Sequence, residues 1–202
     1  MAIFENVLGM WKRKNFSYIQ NICRGLVELG YQFRTSVLRA CDYGDPQKRT
    51  RFFIFATRKS LPHPVIPPKT HGEGYDLIPF VTVKDAISHL EHTDKQYPNM
   101  VGKTTSMQPG EHGLVRLDPN GLSPTIRCSK LIFHLTENRP ITPREAASIQ
   151  SFPPDYVFHG NLESQYRQIG NAIPGELAEA IARMARQFLA YEYEDIDGQC
   201  LI

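Results

Sequence analysis

The segment Leu61 to Tyr75 carries Pro62, Pro64, Pro67 and Pro68, then Gly72 and Gly74. Prolines at this density remove backbone donors and fix φ, so neither a helix nor a central strand can run through the segment. The chain must therefore be built in parts on either side of it. Before it, Ile3 to Val7 reads as the end of a short apolar strand entering a turn. From Asn15 to Leu29, the residues Phe16, Ile19, Ile22, Cys23, Leu26 and Leu29 recur at three- and four-residue spacing, which predicts an amphipathic helix, with Gly30 at the C-cap. Tyr31 to Leu38 alternates as a strand, Gly44-Asp45-Pro46 breaks it, and Arg51 to Thr57 is the clearest strand in the chain. Beyond the prolines, Val83 to Leu90 predicts a short helix and about 91–120 a polar, turn-rich stretch. Thr142-Pro143-Arg144-Glu145 predicts a helix start with a capping box, stopped by Pro153-Pro154. A last helix runs from Pro174 to about Tyr191 with Leu177, Ile181, Met184, Phe188 and Leu189 along one side, followed by an acidic tail.

With 202 residues, 41% hydrophobic and 22% charged, the chain can bury a core, and collagen-like, coiled-coil and low-complexity readings are excluded. Apolar runs such as Phe52 to Ala56 are far shorter than a membrane span, and the first four residues are too short for a signal peptide. An intracellular protein is the expectation, cytoplasmic in a prokaryote and nuclear in a eukaryote. Cys23, Cys41, Cys128 and Cys200 form no C-x-x-C pair, so reduced thiols and no metal site are expected. The net charge of +2 is uneven: residues 1–60 hold eleven Lys and Arg against four Asp and Glu, whereas residues 139–202 hold five against nine. A basic first third suits a polyanionic partner and equally a solvated face. Gly72-Glu73-Gly74 follows prolines and opens no helix, so it reads as a turn; His89 and His92 read as surface histidines, and Asp42 and Asp45 as ordinary carboxylates.

Four short strings occur in a fixed order. They are Phe4-Glu5-Asn6-Val7, then Gln47-Lys48-Arg49-Thr50-Arg51, then the run from Arg139 through Thr142, Arg144, Glu145 and Gln150 to Pro153, and finally Gln168-Ile169-Gly170-Asn171-Ala172-Ile173-Pro174. Together they closely resemble the C-terminal half of a cytosine-5 DNA methyltransferase, over nearly the whole chain. The resemblance implies an α/β fold: the C-terminal part of a doubly wound methyltransferase domain, at residues 1–57 and 165–202, with a target-recognition domain at 58–164 inserted. It implies S-adenosylmethionine as cofactor and double-stranded DNA as partner.

The chemistry agrees with the resemblance. Methylating C5 of cytosine requires a thiolate to add at C6, which is feasible only if charge gathering on the ring is neutralised at N3. By resemblance Glu5 faces N3 and the exocyclic amine, with Asn6 fixing the turn. Arg49 and Arg51, two apart on a predicted strand, would share a face and hold the base oxygen O2 and a phosphate. Asn171 and Ala172 would close the cofactor pocket beside the flipped base, at a Gly-Asn-Ala turn that leaves N–H groups uncommitted at a helix start. Arg144 is implied near the DNA backbone, while Glu145 reads as a helix cap. Base reading is expected between Lys95 and His134, with Arg116, Arg127, Ser129 and Lys130 best able to reach base edges.

The departures from the family pattern are as informative. No cysteine follows a proline, so the Pro-Cys nucleophile is absent, and so is the glycine-rich cofactor turn. Both lie upstream of the glutamate string in the family, so an N-terminal complementary chain or upstream segment is expected, and this chain alone is expected to be inactive. The alternatives are a non-catalytic DNA-binding or regulatory remnant, or an RNA cytosine methyltransferase.

Overall fold

The computed structural model describes residues 1–90, 97–128 and 131–197, with side chains to residue 190. The chain forms two compact units, Met1–Arg39 with Thr50–Pro68 and Glu179–Ile202, and Ala40–Arg49 with Lys69–Ala178. These bounds differ from 57 and 164. The 40–49 turn is hydrogen-bonded into the second unit, where Lys48 N–H donates to Ser123 O at 2.8 Å and Ser123 N–H to Pro46 O at 2.9 Å.

The first unit is a three-stranded sheet of β1 (Ala2–Val7), β2 (Tyr31–Arg39) and β3 (Thr50–Arg58), in the order β1-β3-β2 with both pairings antiparallel. The apolar run predicted from Arg51 is the central strand. Its alternate residues Phe52, Ile54 and Ala56 pack with Ile19 and Leu26 of helix α1 (Phe16–Glu28). Phe53 and Phe55 fall on the opposite face, stacked with ring centroids 5.8 Å apart and also buried. A strand buried on both faces needs no polar alternation, which is why it reads as continuous. Two 3-10 turns, Leu8–Trp11 and Arg13–Asn15, precede α1, and Trp11 from the first of them lies 5.0 Å from Phe52. Gly30, at φ +81°, ends α1 as expected.

The second unit holds α2 (Val83–Ile87), the short parallel pair β4 (Val115–Arg116) and β5 (Ile132–Phe133), α3 (Pro143–Ile149) and α4 (Leu162–Asn171). Its core gathers Val83, Ile87, Leu117, Ile126, Ile132, Ile149 and Ile169, with the Tyr166 hydroxyl donating to Ile141 O at 2.6 Å. The capping box at Thr142 and Glu145 forms as its spacing predicts. Pro153-Pro154 does not stop α3. The helix ends at Ile149, and Ser151 at φ +55° turns the chain before the prolines are reached.

Helix α4 escapes the sequence reading although Leu162, Tyr166 and Ile169 recur at four- and three-residue spacing and pack on the core, because its last turn reads as the start of a Gly-Asn-Ala turn. Gln168 to Asn171 is thus its last turn, not a loop. Helix α5 (Gly175–Asp197) runs past Tyr191. Its residues Leu177, Ile181, Met184 and Phe188 are buried, but Leu189, rotated about 100° from Phe188 by helix geometry, is exposed.

Candidate active site

Glu5 sits mid-strand on β1 opposite Phe53, and Val7 sits opposite Arg51. That register makes Glu5 and Arg51 diagonal neighbours on one face of the sheet, shared with Phe53 and Phe55 and turned away from α1. Arg51 Nε lies 2.8 Å from Glu5 Oε1, and its Nη1 donates to Thr50 O at 2.9 Å. Both side chains are mostly shielded, at 12% and 28% exposure, so the pair is desolvated enough to be firm and open enough to be reached. The Asn6 side chain accepts the Val7 N–H at 2.8 Å, the local fixing role expected of it. A carboxyl fixed by a guanidinium in this way is held in place, and in its protonated form it can donate toward a ring nitrogen while the cation meets a neighbouring oxygen.

Arg49 does not join them in the expected way. It precedes β3, so strand alternation does not apply to it, and it is 2% exposed. Its Nη1 donates to Ile126 O at 3.2 Å and its Nη2 to Gly170 O at 2.9 Å. The guanidinium is committed to backbone carbonyls of the second unit rather than offered to a base.

Arg144 is a second correction. It is fully buried, with Nη1 donating to Pro153 O at 2.9 Å, Nε to Pro98 O at 3.3 Å, and Nη2 to Tyr156 O. Tied to three carbonyls inside the unit and closed off from solvent, the guanidinium is not presented to a DNA phosphate. Glu145 caps α3 as expected and also receives a two-pronged bond from Arg139, at 2.9 and 2.7 Å.

Among the expected base readers, Arg116 is half-buried, and its guanidinium braces a corner by donating to His134 O at 2.9 Å, Glu137 O at 2.6 Å and Asn138 Oδ1 at 3.1 Å. It is not placed to read bases. Arg127 is exposed. Ser129 and Lys130 lie outside the described residues, as does His92. Asn171 is exposed as the last residue of α4, and Ala172 follows with extended backbone at φ −66° and ψ 153°.

The N–H groups at the start of α5 are not left for a ligand. Glu176 N–H and Leu177 N–H donate to the Asp45 carboxylate at 3.3 and 3.0 Å. Asp45 is 1% exposed, and burial pushes its carboxyl up from 3.8 to about 6. It is therefore not the ordinary surface acid that its turn suggests. Sequence reasoning also passed over Gln47 and Gln150, both fully buried, although each stands inside one of the four strings. Burial also raises the Cys23 thiol, which places it poorly for a nucleophile.

The chain matches the family described as C-5 cytosine-specific DNA methylase over residues 1–112 and again over 75–187. It is 29% identical to the type II methyltransferase M1.HphI of Haemophilus parahaemolyticus over 210 residues, covering 89% of this chain and 55% of that protein. It is 32% identical to M.AplI of Arthrospira platensis over 205 residues, covering 94% and 57%. The chain thus spans about half the length of the curated relatives it matches. A crystal structure assigned as a DNA modification methyltransferase encoded within an E. coli prophage superposes with a TM-score of 0.74 at 27% identity, covering 93% of this chain and 69% of that one. That likeness establishes the α/β methyltransferase fold. No helix among the described residues is long and apolar enough to cross a membrane. On the extent of the family match, the chain belongs to the C-5 cytosine-specific DNA methylases.

Proposed function

We propose that this chain supplies the base-activating and target-reading portion of a DNA cytosine-5 methyltransferase. The observation that carries the reading is the Glu5–Arg51 pair at 2.8 Å on the sheet face away from α1. In this reading a cytosine is flipped from the duplex so that N3 and the exocyclic amine meet Glu5 and O2 meets Arg51. A cysteine thiolate bonds to C6, and the electron pair displaced toward the ring is stabilised because Glu5, in its protonated form, donates a hydrogen bond or its proton at N3. C5 then has the nucleophilicity to take a methyl group, after which loss of the C5 proton and release of the thiolate from C6 restore the aromatic ring. Arg51 holds the Glu5 carboxyl in place and fixes the base by its oxygen, so the pair both orients and activates. S-adenosylmethionine supplies an electrophilic methyl group when bound, and of this chain Asn171 and Ala172 would meet it.

The thiolate and the glycine-rich cofactor turn come, in this proposal, from a segment carrying the Pro-Cys string, whether in the same polypeptide or in a second chain. Its strands would add to the sheet at β1, whose outer edge is unpaired among the described residues and where Ile3, Phe4 and Val7 are exposed. Arg127, the one proposed reader that is described and exposed, would contact duplex DNA.

The test is methyl incorporation from labelled S-adenosylmethionine into mixed-sequence DNA, with and without that segment. Incorporation is expected only with the segment, and only while its Pro-Cys thiol is intact. Incorporation by this chain alone that survives replacement of all four of its cysteines would overturn the proposal. Failure of every Pro-Cys-bearing complement to restore activity would point instead to a binding remnant.

A further inference from the structure

A buried chain of amide hydrogen bonds links two of the sequence strings, and the chemistry at cytosine makes no use of it. Gln47 Nε2 donates to Gln150 Oε1 at 2.7 Å, while Gln47 Oε1 accepts the Ile126 N–H at 3.1 Å. Gln150 Nε2 donates onward to Ile169 O at 2.7 Å and to Ala172 O at 3.3 Å. Arg49 bridges the same two segments in parallel, through Ile126 O and Gly170 O. Both backbone polar groups of Ile126 are therefore held by side chains linked to the end of α4, Arg49 directly and Gln47 through Gln150.

An amide satisfies these positions without titrating, because each must donate with one end and accept with the other. Gln47 and Gln150 are both fully buried, so an apolar replacement leaves partners orphaned without access to water. The backbones are also in direct contact. A Cβ at Gly170 would lie 2.9 Å from Cys128 N, so glycine is what lets the Arg127–Cys128 peptide close on α4.

We infer that Gln47 and Gln150 are positioning residues that lock the Ile126–Cys128 backbone to the Ile169–Ala172 segment, so that Arg127 and Asn171 are presented as one rigid pair. The functional weight of this lock rests on the reading given under Proposed function. There Arg127 contacts the duplex and Asn171 and Ala172 meet S-adenosylmethionine, so the lock ties target engagement to the segment that meets the methyl donor. A mismatched duplex that displaces Arg127 then also displaces the 169–172 segment. Loosening the lock leaves the Glu5 chemistry intact and removes that coupling.

Two measurements decide it. The first is hydrogen exchange on the chain bearing Gln47→Leu, with Gln47→Asn, one methylene shorter, as the milder variant. Exchange should rise about tenfold both at 126–128 and at 169–172, with helix α2 unchanged, as expected when one local unit is loosened. A rise confined to one segment would overturn the lock. The second is steady-state methylation by the complemented enzyme on matched and single-mismatch duplexes. The same variants should raise KM for the matched duplex and erode discrimination about tenfold, the scale of one mismatched base pair, with kcat at saturating DNA within about threefold. Equal losses of kcat on both duplexes, as a merely structural role would give, would overturn the positioning role. If the unmodified complemented enzyme transfers no methyl group, the cytosine reading fails, and the exchange experiment still decides the lock.

Discussion

Replacing Asp45 by Asn should change how stability responds to pH, and the sign follows from the buried carboxylate at the start of α5. Its carboxyl stands at about 6 against an ordinary value near 3.8. As pH rises from about 4 to about 6, the unfolded chain has already released this proton while the folded chain still holds it. Stability therefore falls across that window and stays lower above it. At about 1.4 kcal/mol per pH unit, the full loss is about 3 kcal/mol. Asparagine mimics the neutral acid but loses one of the two oxygens that accept from Glu176 and Leu177, a cost of about 1 kcal/mol. The variant should be about 1 kcal/mol less stable than the parent near pH 4, and about 2 kcal/mol more stable near pH 7.5. Urea titrations across that range should show the two midpoints crossing, with a total relative movement of about 1.5 M for a slope of about 2 kcal/mol/M. A difference between the two proteins that stays constant with pH would refute the claim that Asp45 is a strained buried acid.

Arg144→Met should destabilise the second unit by about 3 kcal/mol, because three carbonyls lose their donor, yet leave the salt dependence of DNA binding unchanged; a shallower salt slope would return Arg144 to the DNA surface. Arg127→Ala should reduce that slope by about one, measured by titrating a labelled duplex at several salt concentrations. Gly170→Ala should destabilise by about 1–3 kcal/mol in chemical melts, since the Cβ would press on the Cys128 backbone.

What could be read in the sequence follows the strength of each local signal. The Phe52 to Ala56 run, the α1 periodicity and the capping box at Thr142 each have one physical interpretation, and each forms where its residues predict. Helix α4 carries Leu162, Tyr166 and Ile169 at helical spacing and an Asn161 cap, but its end coincides with the Gly-Asn-Ala string, whose glycine and asparagine read as a turn. Glu5 and Arg51 could be singled out from the order of the strings, but their pairing depends on strand register, which no local pattern specifies. Arg49 and Arg144 look like surface cations because arginine rarely lies fully buried. Nothing in the sequence announces that backbone carbonyls will converge on each of them. Gln47, Gln150 and Asp45 were passed over for the same reason: their roles are defined by partners up to 132 residues away, as Asp45 and Leu177 are.

The central claim is that Glu5 activates the cytosine ring, and the most direct measurement is release of tritium from C5 of a 5-tritiated cytosine duplex by the complemented enzyme. Tritium loss reports addition at C6 and reaction at C5, whatever limits later turnover. Glu5→Gln should slow release by about 10²-fold at saturating duplex and cofactor, the scale of a positioned acid, with duplex affinity within about threefold. Release by Glu5→Gln at the unmodified rate would contradict the account.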